Sequence, residues 1–247
     1  MNKKINILDV FVDHITMEEA VKKILEFTHT PSCHMVFTPN PEIIMLAQNN
    51  KPLRDALNKA NLVVPDGIGV VIASKMLKGP TLKERVPGYD LVQNTMSEAV
   101  QNGYKYYFLG GKPGVAELAA EKMKVKYPGI QIVGTHHGYF KKEDEKDIIQ
   151  KINGSGANIL LVALGAPKQE LWIEEYRQDL QNIRVAIGVG GSFDGMAELV
   201  KRAPVFFQKC GLEWFYRLIK QPSRAKRMLL IPKFIVKVAR QKNNKMQ

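Results

Sequence analysis

Residues 106–133 begin Tyr106-Tyr107-Phe108-Leu109-Gly110-Gly111-Lys112-Pro113-Gly114, continue as VAELAAEKMKVK over 115–126 and, past Tyr127-Pro128-Gly129, close on Ile130-Gln131-Ile132-Val133. Four apolar residues stopped by two glycines read as a buried strand, and the twelve that follow have helical spacing and no breaker. A second short apolar run then reads as another strand. Strand, glycine turn, helix, strand in one stretch is a βαβ unit, whose two strands lie parallel.

The same alternation runs outward from there. Downstream, Glu143–Ile152 reads as a helix and Ile159–Leu164 as a strand. Gly165-Ala166-Pro167 turns the chain into a helix at Lys168–Leu180, and Val185–Val189 is a strand ending in the polar turn Gly190–Gly195. Upstream, Cys33–Phe37 and Leu62–Val64 are strands that end at Thr38-Pro39-Asn40-Pro41-Glu42 and at Pro65-Asp66-Gly67. Asn40 and Pro41 suit a helix cap and its first turn, and a further helix is expected from Gly69 to about Leu77. Before these, Ile5–Ile15 reads as one or two strands. Thr16-Met17-Glu18-Glu19 has the form of a capping box opening a helix to about Phe27. Continuous apolar strands separated by helices predict an α/β domain over 1–200, a Rossmann-like mostly parallel sheet with helices on both faces.

Charge divides the chain differently. Residues 201–247 hold 13 of the 36 Lys and Arg but only one acid, Glu213, of the 24 Asp and Glu, so the entire net charge of +12 lies in this segment. A neutral body with a basic helical C-terminal appendage points to phosphates or an anionic surface. On a helical wheel from Arg224 to Arg240, Lys226, Lys233, Lys237 and Arg240 share a face, opposite Met228, Ile231, Ile235 and Val238. That is the pattern of a basic amphipathic helix in a membrane interface. Arg224 and Arg227 fall on the apolar side, where they would turn inward to a pocket. Pro232 is expected to break the helix and change its phase. The competing reading is a charged helix packed on the body.

Several classes are disfavoured. No run reaches the roughly 18 apolar residues of a membrane span, and the N-terminal apolar stretch is interrupted by Asp9 and Asp13, unlike a signal peptide. Cys33 and Cys210 have no disulfide or zinc spacing, which fits a cytoplasmic setting. Gly188-Val189-Gly190-Gly191-Ser192-Phe193 puts a phenylalanine where a dinucleotide fingerprint needs its third glycine, and Gly111-Lys112-Pro113 lacks the P-loop hydroxyl. An oxidoreductase is therefore disfavoured. A nucleic-acid-binding arm would be more polar than a tail carrying Leu229, Leu230, Ile231, Phe234 and Ile235. No Asp-x-Asp pair offers a magnesium clamp, and His136-His137 reads as a loop because neighbours in an extended chain point apart. Trp172, Trp214 and Tyr216 read as packing residues.

What remains is the rim of polar turns at the strands' carboxyl ends, where α/β sheets bind ligands. Asp66, between Pro65 and Gly67 after an apolar strand, is the candidate catalytic carboxylate. The alternative is a cap on the next helix.

These motifs together are similar to those of the WecG/TagA/CpsF family of bacterial glycosyltransferases. The resemblance spans essentially the whole chain. It rests on Thr38-Pro39-Asn40-Pro41-Glu42, Val64-Pro65-Asp66-Gly67-Ile68-Gly69, Arg85-Val86-Pro87-Gly88 and Phe108-Leu109-Gly110-Gly111. It rests also on Leu164-Gly165-Ala166-Pro167-Lys168-Gln169-Glu170 and on Gly188-Val189-Gly190-Gly191-Ser192-Phe193-Asp194. It implies transfer of N-acetylmannosamine from a UDP donor to the N-acetylglucosamine of an undecaprenyl-diphosphate lipid, β-1,4-linked, with inversion and without metal or cofactor, in wall teichoic acid linkage-unit synthesis. Relatives that use UDP-ManNAcA or UDP-glucose keep the donor open. By the same resemblance Asp66 is the general base, and Thr38, Asn40, Arg85 and Gln169 line the pocket. Gly191 and Asp194 belong to the nucleotide region, and Arg217, Arg224 and Arg227 meet the diphosphate, Arg224 as a catalytic group. The expected setting is the inner face of the cell membrane, attached peripherally to its anionic surface, with no nucleic-acid partner and a homo-oligomer left open.

Overall fold

The computed structural model describes residues 3–200, 203, 204, 206, 207, 213, 215, 216 and 230–244, the side chains of 242–244 excepted. Strands β3 (His34–Phe37), β4 (Leu62–Val63), β5 (Lys105–Gly110), β6 (Gln131–His136), β7 (Ile159–Ala163) and β8 (Val185–Gly188) form one sheet in the order β4-β3-β8-β7-β5-β6. Every pairing in it is parallel. β1 (Lys4–Ile7) and β2 (Val10–Asp13) form a separate antiparallel hairpin.

Side chains alternate across the sheet into two cores. Met35, Phe37, Val63, Tyr107, Leu109, Leu160, Val162 and Ala186 face one way. Val36, Leu62, Tyr106, Phe108, Ile159, Leu161, Val185 and Ile187 face the other. The first core is closed by α2 (Pro41–Gln48), α3 (Lys51–Lys59), α4 (Ile68–Met76), α7 (Glu145–Gly154) and α8 (Lys168–Tyr176). The second is closed by α1 (Met17–Thr28), α5 (Gly88–Asn102), α6 (Val115–Lys126) and α9 (Ser192–Met196). Connection direction explains the sorting. The steps β3 to β4, β6 to β7 and β7 to β8 run one way along the sheet, and β4 to β5 and β5 to β6 run the other. Right-handed crossovers put α2, α3, α7 and α8 on one face and α5 and α6 on the other, while α4, which opens the β4 to β5 connection, still lies on the first face before the chain reaches α5.

The expected strands all form, within a few residues of their predicted limits, and α6 begins and ends where the sequence put it. The capping box forms as read: Thr16 Oγ1 accepts from Glu19 N at 3.2 Å and the Glu19 carboxylate from Thr16 N at 2.8 Å. Asn40 caps α2, its Oδ1 accepting from Ile43 N at 3.0 Å. Helices α3 and α5 were not part of the sequence reading. α8 ends at Tyr176, short of the expected Leu180.

Helix α10 (Leu230–Asn244) packs against α2 and α4. Phe234 and Val238 are fully buried in the same core as Ile44 and Val70. Gln241 fastens it further, accepting from Leu8 N at 2.9 Å and donating to Asn6 O at 3.2 Å in the β1–β2 turn. The helix runs through Pro232, the third residue from its start, a first-turn position that tolerates proline. The side expected to enter lipid is thus turned onto the body, since burying each large apolar side chain yields about 1.5–3 kcal/mol. Lys233, Val236 and Arg240 stay exposed and Lys237 is half-buried. Lys226 and Met228, the other members of the predicted faces, lie outside the described residues.

Candidate functional site

The strand order makes a crevice at the carboxyl ends of β3 and β8. These strands are neighbours, yet β3 leads into α2 on one face and β8 into α9 on the other, the arrangement at which open α/β sheets bind ligands. Thr38 leaves β3 here, and its Oγ1 donates to Gly188 O of β8 at 3.4 Å. On the far side of β3, β4 delivers Val64 and Pro65 into the core and leaves Asp66 half-buried.

Asp66 does not cap α4. The cap position is Gly67, which makes no side-chain cap bond and takes φ +94°, a region open to glycine. Asp66 is held instead through its backbone, N donating to Pro39 O at 3.3 Å. Val86 N donates to Pro65 O at 2.9 Å, which brings the segment carrying Arg85 against the one carrying Asp66. Two glycines let the rim close: a Cβ on Gly69 would lie 2.7 Å from Pro41 Cγ, and one on Gly88 2.8 Å from Thr38 Oγ1.

The Arg85 guanidinium meets Glu213 Oε2 at 3.3 Å, the two side chains 19% and 12% exposed. The tail's single acid therefore sits on a candidate pocket residue 128 positions upstream.

Gln169 is 3% exposed and its amide is engaged at both ends. Oε1 accepts from Gly190 N at 3.0 Å, and Nε2 donates to Glu170 Oε1 at 2.8 Å. Burial raises the Glu170 carboxyl above its ordinary value, against the opposing hydrogen bond from Gln169. In the turn after β8, Ser192 N also bonds within the turn, to Val189 O at 3.1 Å. Two of the turn's backbone amides, Gly190 N and Ser192 N, are thus engaged within the protein. Gly191 is exposed and Asp194 half-buried, its carbonyl accepting from Leu199 N and Val200 N. Phe193 anchors α9 by stacking on Phe108 at 4.9 Å. Gly110 and Gly111 serve strand packing: a Cβ on Gly110 would overlap the Ala163 carbonyl, and Gly111 N donates to Ala163 O at 3.0 Å.

Thr38, Asn40, Asp66, Arg85 and Gln169 thus gather around the ends of β4, β3 and β8, with Gly191 and Asp194 beside them. Arg217, Arg224 and Arg227 lie outside the described residues, as do Cys210 and Trp214. His136 and His137 differ from the alternating picture: their rings stand 4.7 Å apart, with His136 Nδ1 2.8 Å from the carbonyl of His137. Among the described residues, no three of His, Cys, Asp and Glu converge as metal ligands, and no helix is long and apolar enough to cross a membrane. Cys33 is free, and burial pushes its thiol up to about 12. Trp172 is a packing residue, 3% exposed and tilted against Tyr176.

Two sets of contacts escaped the sequence reading. Gly88, at the start of α5, and Gly188, at the end of β8, are sites of close approach to Thr38 and Gln169, and for Gly188 a glycine at a strand end is the signal for such an approach. Glu170 stands in a quoted motif, but only the fold shows it bonded to its neighbour.

The family model described as "Glycosyl transferase WecG/TagA/CpsF family" matches residues 5–247. A Bacillus spizizenii protein named N-acetylglucosaminyldiphosphoundecaprenol N-acetyl-beta-D-mannosaminyltransferase is 42% identical over 203 residues, 82% of this chain and 77% of its own length. A Staphylococcus aureus protein of the same name is 36% identical over 241 residues, 97% of this chain and 93% of its own.

Proposed function

The chain belongs to the WecG/TagA/CpsF family of glycosyl transferases, and from that membership we propose that it transfers N-acetylmannosamine from a UDP donor to the N-acetylglucosamine of an undecaprenyl-diphosphate lipid. The names of the relatives support the sugar and the acceptor. The observation that carries the reading is the pairing of chemistry at one rim. A half-buried carboxylate, Asp66, stands beside the Arg85 segment at the ends of β4 and β3.

In the proposed step Asp66 accepts the proton of the acceptor hydroxyl as its oxygen bonds to the sugar's anomeric carbon. The bond from that carbon to the diphosphate oxygen breaks, and UDP leaves with the electron pair. A single displacement of this kind inverts the anomeric centre. The developing charge on UDP is met by guanidinium groups, which bind phosphate bidentately and act best when preorganised. By resemblance these are Arg217, Arg224 and Arg227, and the reading needs no metal. Thr38, Asn40, Arg85 and Gln169 line the pocket, and Gly191 and Asp194 border the nucleotide. Exposed Lys233 and Arg240 on α10 supply the contact with an anionic membrane surface where the lipid acceptor resides.

The test is transfer with UDP-N-acetylmannosamine and a short-chain polyprenyl-diphosphate N-acetylglucosamine, in the presence of EDTA. UDP-ManNAcA and UDP-glucose serve as competing donors. Product from the first donor supports the reading; preference for another reassigns the sugar, and thermal stabilisation by NAD but not by UDP overturns it.

A further inference from the structure

The ends of an amide side chain differ little in shape, so its orientation is decided by its neighbours. At Gln169 those neighbours allow only one. The Gly190 N–H requires an acceptor and takes Oε1 at 3.0 Å, and Glu170 Oε1 requires a donor and takes Nε2 at 2.8 Å. A flipped amide would set donor against donor and acceptor against acceptor. The surroundings are shaped for this one arrangement. A Cβ on Gly188 would sit 3.0 Å from Gln169 Nε2 and 3.4 Å from Phe37, so any larger residue there would crowd the amide. The carbonyl of that glycine accepts from Thr38 Oγ1. A line of contacts thus runs from Glu170 through Gln169 to the turn after β8, and on to Thr38.

Glu170 is an odd choice for stability alone. It is 1% exposed, and its second oxygen, Oε2, is buried with no hydrogen-bond partner among the described residues. An unpaired buried polar atom is a cost to folding. A group kept at that cost is explained by what its paired oxygen does.

We propose that Glu170 is a positioning residue for sugar transfer: it orients the Gln169 amide, which holds the Gly190 N–H and keeps the turn after β8 in the shape that receives the donor nucleotide. The proposal rests on the transferase reading for its kinetic consequences, but the relay itself has a readout that does not depend on activity.

Four variants test it: Glu170→Gln, whose amide oxygen can still accept from Gln169; Glu170→Leu and Glu170→Asp, which remove or withdraw the acceptor; and Gln169→Ala. Glu170→Gln is expected to stay within about threefold of the parent. Glu170→Leu and Glu170→Asp are expected to raise the KM for the UDP-sugar about tenfold, as loss of one oriented hydrogen bond does, with melting temperatures near the parent's. Glu170→Leu should add nothing further in a Gln169→Ala background. Amide hydrogen exchange over residues 188–193 should be faster in Glu170→Leu, Glu170→Asp and Gln169→Ala, and unchanged in Glu170→Gln. Additive losses in the double variant, or parental exchange in both Glu170→Leu and Glu170→Asp, overturn the proposal. If Glu170→Leu fails to fold, Glu170→Asp decides. If the parent transfers no sugar, the functional reading fails while hydrogen exchange still decides the relay.

Discussion

At the scale of single residues, backbone contacts set the shape of the rim. Asp66 N donates to Pro39 O and the neighbouring Pro65 carbonyl accepts from Val86 N, and an amide in place of the carboxylate keeps the side chain's shape. Asp66→Asn is expected to bind UDP as the parent does and to lose about 10²–10⁴-fold in turnover. Isothermal titration beside the transfer assay measures both; loss of UDP binding in the folded variant would move Asp66 to the donor site. Gly88→Ala tests the opposite kind of residue. Its Cβ would press on Thr38 Oγ1 and Cγ2, at 2.8 and 3.2 Å, and a β-branched side chain has little freedom to yield. A stability loss of about 1–3 kcal/mol, read by urea denaturation, should accompany lower activity. His34 gives a pH signature. Burial lowers its pKa and leaves Nδ1 unpartnered among the described residues. On acidification below about 6.5 the unfolded chain therefore takes that proton first, and stability should fall from pH 7 toward 5.5. The urea midpoint of His34→Phe should fall less over that range. Asp13 and Glu170, whose carboxyls burial raises, act in the other sense. The folded state protonates first, so their contribution grows only as pH drops toward the carboxylate range.

At the scale of elements, legibility followed the source of each signal. The central strands are apolar throughout and buried on both faces, so their runs were visible. α1 and α2 announced themselves through Thr16 and Asn40, whose cap bonds form as the residue types require. α5 starts at Gly88 behind Pro87 with no side-chain cap bond, and nothing local marks its beginning. The tail shows the limit of a helical wheel. The pattern over 230–240 identifies an amphipathic helix but cannot say what its apolar side meets. The β1–β2 turn, α2 and α4 supply the answer in Gln241, Phe234 and Val238. Phe234→Ala is expected to cost about 3–5 kcal/mol in urea denaturation. A cost near zero would mean that α10 is not part of the cooperative fold.

At the scale of the whole molecule, charge and fold divide the chain at different places. All the net charge lies beyond residue 200, yet α10 shares a core with α2 and α4. Packing α10 inward leaves Lys233 and Arg240 outside, and the full chain is expected to bind anionic vesicles in preference to zwitterionic ones, less so as salt rises. Lys233→Gln with Arg240→Gln should weaken that binding by up to about thirtyfold, at about 1 kcal/mol per cation, in a sedimentation assay. An unchanged affinity would place the membrane contact elsewhere. The sequence by itself determined the α/β class, the rim of polar turns, the candidate carboxylate and the confinement of charge to the tail, because periodicity, turn chemistry and charge are local properties of a chain. Only the tertiary structure decided that Asp66 leaves the cap of α4 to Gly67, that Glu170 holds Gln169 against Gly190, and that the apolar side of α10 faces protein. Those outcomes depend on which segments the strand order β4-β3-β8 brings together, and residues 66, 169 and 190 become neighbours of one crevice only when parallel strands set their carboxyl ends side by side.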